Sequence, residues 1–211
     1  MKAIYQLRIT LKHISPPIWR QVQVPMEFRL DQLHTLIQLV MGWDDSHLHE
    51  FALVSESKMP PHIAEAASRL PWDTPDTLRD ERRFMPAGAM EQGFADNAED
   101  ERKVSIGELC PKVDDTLTYT YDFGDDWAHE IKVQEILSAK PGERYPLCLD
   151  GKRACPPEDC GGLPGYENLL EVLSDPGHEE YEGMLEWVGG DFDPEEFDQE
   201  TVAKELRNVK W

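Results

Sequence analysis

One alternating stretch, TLTYTYDFGDDWAHEIKVQE at residues 116–135, constrains the fold of this chain most strongly. In its first half, apolar and aromatic residues occupy every second position, with threonines and Asp122 between them. The alternation resumes after GDDW and continues through HEIKVQE. Period-two alternation is typical of a strand with one buried face, and Gly124 supplies the backbone freedom that a chain reversal needs. The stretch therefore predicts an antiparallel β-hairpin whose first strand continues through Asp122 and Phe123.

The flanking sequence predicts further strands and helices. Alternation indicates strands, and apolar residues at helical spacing indicate helices. The predicted strands are 4–14, 18–25 and 47–54, and the predicted helices are 30–41, 105–109, 166–174, 178–188 and 194–208. Gly42 is a natural stop for the first helix, and Asp193 followed by Pro194 is a favourable start for the last. The segment between Pro141 and Gly165 is predicted to be mostly loop.

Residues 55–103 differ from the rest of the chain because they hold many prolines and charges and show no sustained period. A structureless loop of that length is unusual inside a compact domain. We therefore expect a variable, partly ordered insert, with a helical turn near 61–69 and mobility near 88–102. The order of the other elements predicts a single α+β domain spanning 1–211, in which an antiparallel or mixed β-sheet is backed by helices, with further helices at the C-terminus.

The charge balance bears on the partners of the protein. Acidic residues outnumber basic residues 42 to 21, which gives a net charge of −21. This charge opposes direct binding to nucleic acid and to anionic membrane surfaces. A DNA-linked function would need a local basic patch, for example around Lys12, Arg20 and Arg29. No apolar run approaches the roughly 20 residues of a membrane helix, and the alternating N-terminus is unlike a signal peptide, so we expect a cytoplasmic protein.

Five segments occur in an order that resembles a known family. They are SPPIWRQVQVP, LHTLIQLVMGW followed by HLHEF, YTYDFGDDWAHEI, CPPEDCGGLPGYENLLEVL and EWVGGDFDPEEFD. The family is typified by the third open reading frame of a root-inducing plasmid, and its members are also described as passenger or resolvase-like proteins of transposable elements. The resemblance covers nearly the whole chain except residues 55–103. It implies an association with plasmids and mobile elements, and it implies no particular reaction.

The hairpin turn concentrates residues that could carry chemistry. Asp122, Asp125 and Asp126 fall at the turn, and His129 and Glu130 begin the return strand. Carboxylates and an imidazole at this spacing could bind a hard divalent cation or act as an acid and a base. The alternative is structural, because aspartate and glycine are also the residues that tight turns favour.

The segment HLHEF supplies a second set of candidates. His47 and His49 lie on one face of the predicted strand, so both could reach one metal ion, with His34 as a third candidate ligand. The alternative is that His49 is a hydrogen-bonded core residue and His47 a surface residue. If this strand joins the sheet of the hairpin, Asp122, His129 and His49 can converge in one pocket, and the CPPEDCGG loop can pack over that edge.

Three of the four cysteines, Cys148, Cys155 and Cys160, lie close together in the sequence and form a candidate metal site, with His178 as a distant fourth ligand. Their spacing lacks the tight CxxC pair that zinc sites usually use. Buried, reduced thiols are therefore the alternative. A disulfide framework is not expected in a chain without an export signal.

These patterns favour a non-enzymatic binding or accessory module of a mobile element, acting through contacts with protein partners. The acidic charge supports this interpretation, as does the structural explanation that is open to each motif. The alternative is a metal-dependent or acid–base enzyme that uses the acidic hairpin and the nearby histidines. The sequence specifies neither a cofactor nor a substrate.

Overall fold

The structure is a computed structural model that describes residues 2–56, 79–91, 93 and 97–211. The helical turn expected near 61–69 lies outside the described residues. The mobility expected near 88–102, and the variability of the insert, stay predictions.

One β-sheet dominates the fold. Its strands are β1 (Ala3–Leu11), β2 (Trp19–Pro25), β3 (His49–Glu56), β4 (Arg79–Met85), β5 (Glu99–Asp100), β6 (Thr116–Tyr121), β7 (Trp127–Ser138) and β8 (Leu147–Lys152). Within the described residues these eight strands form a single sheet in the order β5-β4-β3-β6-β7-β1-β2-β8. All neighbouring pairs are antiparallel except β4 and β5, which are parallel, so the sheet is mixed.

Of the helices in the described chain, three lie between strands and three follow the last strand. They are α1 (Leu30–Met41), α2 (Ala87–Glu91), α3 (Ile106–Leu109), α4 (Gly162–Ser174), α5 (Tyr181–Trp187) and α6 (Gln199–Asn208), with a 3-10 turn at Glu101–Lys103. α1 buries its apolar face in the main core, including Leu33, Ile37 and Val40. The predicted α+β class, with a mixed sheet and C-terminal helices, is therefore confirmed. Among the helices of the described ranges, none has the length and hydropathy needed to cross a bilayer.

The predicted hairpin forms, but its turn begins earlier than the alternation suggested. Tyr119 of β6 pairs with His129 of β7, and both side chains are fully buried. Asp122 adopts a left-handed backbone conformation with φ +54°, which ends the first strand. Phe123 consequently lies in the turn and is exposed, instead of continuing the strand.

The segment predicted to be mostly loop contains β8, so that prediction is wrong for residues 147–152. β8 pairs with β2, where Cys148 lies opposite Val22, and it forms one edge of the described sheet. The strand was missed because LCLDGK has a short apolar alternation and the pairing shifts register between Gln21 and Val22.

The last helix begins at Gln199 and not at residue 194. Asp193 instead forms a turn, in which its side chain accepts a hydrogen bond from the Glu195 amide at 2.8 Å. Asp198 supplies the helix start, because its side chain accepts from the Thr201 amide at 3.0 Å. Both aspartates carry the same local signal, and the structure uses the second for the helix.

Arg20, which the sequence offered as part of a basic patch, lies inside the protein with 2% of its surface exposed. Its guanidinium donates to the carbonyl oxygens of Val40, Trp19, Lys152 and Arg153. The ring of Phe197 lies 4.0 Å from the guanidinium carbon. Arg20 therefore ties β2 to the end of α1 and to the segment after β8, and it is not available to bind DNA.

Candidate functional site

The end of the sheet at the hairpin turn gathers four ionisable side chains from three segments. His47 precedes β3, Asp122 follows β6, and Glu158 and Asp159 belong to the loop between β8 and α4. We call these four residues the turn cluster. His47 Nε2 lies 3.2 Å from Asp159 Oδ1 and 3.8 Å from both Asp122 Oδ2 and Glu158 Oε2. One imidazole nitrogen therefore faces three carboxylates.

Two atoms of the turn cluster are buried without a hydrogen-bond partner among the described residues: His47 Nε2 and Glu158 Oε2. Buried polar atoms in folded proteins are nearly always partnered by protein, water or a ligand, so the turn cluster is a candidate site for a further ligand. The ligand atoms of His47, Asp122 and Asp159 all lie within 4.8 Å of one another. Donor atoms around one divalent ion are about 3.0–3.5 Å apart, so small side-chain rotations would bring these three onto one cation.

Hydrogen bonds fix the orientation of the two buried carboxylates. Asp122 Oδ1 accepts from the Gly124 amide at 2.8 Å, which leaves Oδ2 facing the cluster. Glu158 Oε1 accepts from the Tyr121 hydroxyl at 2.9 Å and from the Asp44 amide at 3.0 Å, which leaves Oε2 facing the cluster. In each carboxylate, one oxygen accepts hydrogen bonds from neighbouring residues and the other faces His47. Burial raises the pKa of Glu158 above its ordinary value.

Asp125 fixes the CPPEDCGG loop on the hairpin turn. Its Oδ2 accepts from the Gly161 amide at 3.1 Å. Gly162 has φ +67°, and a Cβ added there would lie 2.8 Å from the carbonyl oxygen of Asp125. The close approach therefore requires glycine. It places the loop against the turn and brings Glu158 and Asp159 to His47.

A second cluster lies between α1 and the sheet. The rings of His34 and His49 stack with centroids 3.5 Å apart and planes 5° from parallel. His34 Nε2 lies 2.8 Å from Asp45 Oδ1, and His49 Nε2 lies 2.8 Å from Glu101 Oε2. The hydroxyl of Tyr119 lies 2.8 Å from His34 Nδ1. We call these five residues the core histidine cluster.

The core histidine cluster has a structural explanation. Gln38 Nε2 donates to the Tyr119 hydroxyl at 3.0 Å, so the hydroxyl hydrogen is directed to His34 Nδ1. His34 Nε2 then carries the ring hydrogen and donates it to Asp45. Burial lowers the pKa of His34, which favours this neutral tautomer. The ligand atoms of His34, Asp45 and His49 lie within 4.8 Å of one another, but His34 and Asp45 are already hydrogen-bonded to each other.

The structure does not bring Asp122, His129 and His49 into one pocket. Asp122 belongs to the turn cluster and His49 to the core histidine cluster. The reason is the strand order, because β6 lies between β3 and β7 and places the Tyr119 side chain between the two histidines. His129 Nδ1 lies 3.3 Å from the Tyr119 carbonyl oxygen, and its Nε2 is buried without a partner among the described residues.

The other hairpin candidates have separate positions. Asp125 binds the loop, as described above, and Asp126 is an exposed turn residue with φ +58°. Glu130 is exposed on the sheet face opposite His129, as alternation along β7 requires. None of these three carboxylates contributes to the groups of ligand atoms found among the described residues.

The three candidate cysteines are not brought together. Cys148 Sγ contacts the Asp150 carbonyl oxygen at 3.8 Å, whereas Cys155 Sγ lies 3.2 Å from Met41 Sδ in the core. Burial raises the pKa of Cys148 and Cys155 to about 11 and that of Cys160 to about 12, so all three are thiols at neutral pH. Neither group of ligand atoms in the described chain includes a cysteine. All three are free thiols, and Cys148 and Cys155 are buried while Cys160 is partly buried, which agrees with the structural alternative.

No sequence motif singles out Glu158 and Asp159 as site residues. The signal available was an acidic pair inside a proline- and glycine-rich loop, in PPEDCGG. That pattern is common in loops without any site. It indicates a site here only because the loop contacts His47, which lies about 110 residues earlier in the chain.

The fold and the turn cluster define the class of protein: an α+β protein whose mixed sheet carries a carboxylate–histidine cluster at one end. The chain matches the plasmid pRiA4b ORF-3-like protein family over residues 3–201, and it belongs to that family. The resemblance found in the sequence is thus confirmed.

The chain is similar to two proteins from two different organisms. The chain is 34% identical to the uncharacterised protein y4hQ of Sinorhizobium fredii (strain NBRC 101917 / NGR234) over 216 residues, which cover 99% of this chain and 94% of that protein. It is also similar to the crystal structure of MM3350, a protein of unknown function from Methanosarcina mazei Go1. The two share 38% sequence identity and a TM-score of 0.76, over 95% of this chain and 97% of that one.

Proposed function

We propose that this protein is a binding module whose bound species is a divalent cation, held by the turn cluster. The observation that carries the proposal is the convergence of three carboxylates on Nε2 of His47, at 3.2 Å for Asp159 and 3.8 Å for Asp122 and Glu158. Carboxylates this close repel one another, and a single imidazole hydrogen can satisfy at most one of them. A divalent ion satisfies His47, Asp122 and Asp159 together and offsets their repulsion.

The donor set favours a borderline ion. Imidazole suits zinc and iron, whereas carboxylates suit manganese and magnesium, so a mixed set fits Zn²⁺ or Mn²⁺ better than Ca²⁺, which takes oxygen ligands. The Asp159 side chain is 74% exposed, which leaves one side of the site facing solvent. A carbonyl or carboxylate of a protein partner could complete the coordination at that open side, as an accessory module requires.

Titration of the tag-free, chelator-treated protein with Zn²⁺ or Mn²⁺ is expected to show a single bound ion and a rise in Tm. At a hundredfold excess of free ion over Kd, binding stabilises the folded state by about 2.7 kcal/mol. For a chain of this length that corresponds to a rise of roughly 5–10 °C. Calorimetric titration measures the stoichiometry, and differential scanning calorimetry measures Tm.

The turn supplies a matched pair of variants for this experiment, Asp122→Asn and Asp126→Asn. Both positions have left-handed backbones, with φ +54° and +58°, which asparagine tolerates, and each variant removes one charge. We expect Asp122→Asn to weaken ion binding by about tenfold or more, and Asp126→Asn to change it by less than about twofold. Equal effects of the two variants, or an unsubstituted protein that takes up no ion, would contradict the proposal.

Glu158 supports a second candidate, a metal-dependent acid–base enzyme at the same cluster. The Oε2 of Glu158 faces the cluster and could act as a general base or acid there, and burial raises the pKa of Glu158 above its ordinary value. The metal-loaded protein would then hydrolyse p-nitrophenyl acetate, and Glu158→Gln would lower the rate about 100-fold while Asp126→Asn leaves it unchanged. A rate no higher than that of the metal ion alone would remove the enzymatic candidate and leave cation binding untouched.

A further inference from the structure

A cavity of about 550 Å³ opens beside the turn cluster, between α4, α5 and the loop at Asp159 and Cys160. Its volume lies within the range of about 300–1,000 Å³ that small-molecule sites occupy. Asp159 is common to the cavity and the turn cluster, while the other walls come from Cys160, from the two helices and from Glu179 and Glu180, which directly precede α5. The cavity is therefore a separate compartment with one shared carboxylate.

The apolar part of the cavity includes an aromatic residue that the fold leaves uncovered. Leu169 of α4 and Met184 and Trp187 of α5 line it. Trp187 is 49% exposed, the highest value among the large hydrophobic side chains of the described residues. Tryptophan is enriched at interfaces, and its ring can cover an apolar or a cationic group.

The polar part of the cavity is acidic. Asp159, Glu179 and Glu180 all line it, and no lysine or arginine is present among the described residues that form its walls. The net charge of −21 adds a long-range field that attracts cations and repels anions. Phosphorylated and carboxylated ligands are therefore disfavoured, and a positively charged ligand is favoured.

We infer that this cavity binds an organic cation: an ammonium or guanidinium group carried on a short alkyl stem. The charged group lies against Trp187 and is neutralised by Glu179 and Glu180, and the stem packs on Leu169 and Met184. The same group can come from a free polyamine-like molecule or from an arginine or lysine side chain of a protein partner. The inference does not depend on the cation site, because it shares only Asp159 with it.

Sharing Asp159 predicts a coupling between the two sites. A metal ion in the turn cluster would offset the negative charge of Asp159 and place positive charge beside the cavity. Binding of the organic cation is then expected to weaken by roughly fivefold when the metal is present. Binding of the metal is expected to weaken by the same factor when the organic cation is present.

The direct test uses the full-length, chelator-treated protein and agmatine, which has a guanidinium at one end of a four-carbon stem and an ammonium at the other. Tryptophan fluorescence and calorimetric titration are expected to show saturable binding of agmatine. They should show weaker binding of 4-guanidinobutanoate, in which a carboxylate replaces the ammonium. An arginine-containing blocked tripeptide forms a second arm. Binding of the peptide identifies a protein side chain as the source, and binding of agmatine alone identifies a free molecule.

Variants locate the binding. The double variant Glu179→Gln/Glu180→Gln and the single variant Trp187→Leu are each expected to weaken agmatine binding about tenfold, whereas Glu182→Gln, on the same helix but outside the cavity, should not. Asp122→Asn should weaken metal binding and leave agmatine binding intact, so the two proposals fail separately. Failure of both agmatine and the peptide to bind, or equal effects of Glu182→Gln and the double variant, would overturn the inference.

Discussion

Replacing Arg20 with methionine is expected to lower the free energy of unfolding by about 3–5 kcal/mol. The Nε of Arg20 donates to the Val40 carbonyl at 2.6 Å, and its two Nη atoms donate to the carbonyls of Trp19, Lys152 and Arg153 at 2.9 Å. Methionine retains much of the apolar contact but withdraws these donors, and each buried carbonyl left without one costs about 1–3 kcal/mol. Denaturant unfolding followed by circular dichroism measures the change.

Arg8 provides the matched control for this substitution. It lies on the neighbouring strand β1 and stacks on the ring of Trp19 at 4.0 Å, but its side chain is only partly buried. Arg8→Met is therefore expected to cost less than about 1 kcal/mol. Arg20→Lys should fall between the two, because it keeps the charge but supplies fewer donors. A loss from Arg20→Met as small as that from Arg8→Met would show that the carbonyl contacts contribute little.

Lowering the pH from 6.5 to 4 is expected to destabilise the protein by about 3 kcal/mol through His129 alone. Burial lowers the pKa of His129 to about 4, whereas in the unfolded chain it returns to its ordinary value near 6.5. Between these values the unfolded state binds more protons than the folded state, so stability rises with pH across this window and is lost as pH falls. At pH 4 the folded state is half protonated, so a small further loss follows, and the contribution of His129 becomes constant below about pH 3.

The difference in pH dependence between variants isolates the contribution of His129. His129→Leu removes the titrating group at similar volume, so its unfolding free energy should change less between pH 6.5 and 4, whatever its absolute stability. His13→Asn is the control, because His13 is exposed and has φ +66°, which asparagine tolerates. Denaturation series at each pH measure these slopes, and identical slopes for His129→Leu and the unsubstituted protein would disprove the assignment.

Periodicity was sufficient to predict the central elements of the fold. α1 occupies the predicted residues 30–41, and Gly42 ends it in a left-handed conformation with φ +95°. The hairpin is placed correctly because alternation reports which face of a strand is buried. β8 and the start of α6 were mispredicted because pairing at a sheet edge and the choice between two capping aspartates depend on tertiary contacts.

The candidate site was predicted only in part, and the reason is geometric. Alternation placed His49 and His129 on a buried face, but strand order decides that Tyr119 lies between them. Alternation placed Asp122 at the end of the strand, on the face opposite Tyr121, but the chain turns left-handed directly after β6 and Asp122 lies in the turn cluster. Glu158, which also faces His47, reaches the turn through a loop contact that no local pattern encodes.

Asp122 and Asp159 share one backbone property, a positive φ of +54° and +56° respectively. Asparagine is among the few residues that tolerate this conformation, and a single-nucleotide change converts an aspartate codon into an asparagine codon. Under the proposed function, asparagine at either position would remove one negative charge from the turn cluster and keep the backbone conformation. Relatives that bind a cation at this place are then expected to have aspartate at both positions, and asparagine is expected in relatives that do not.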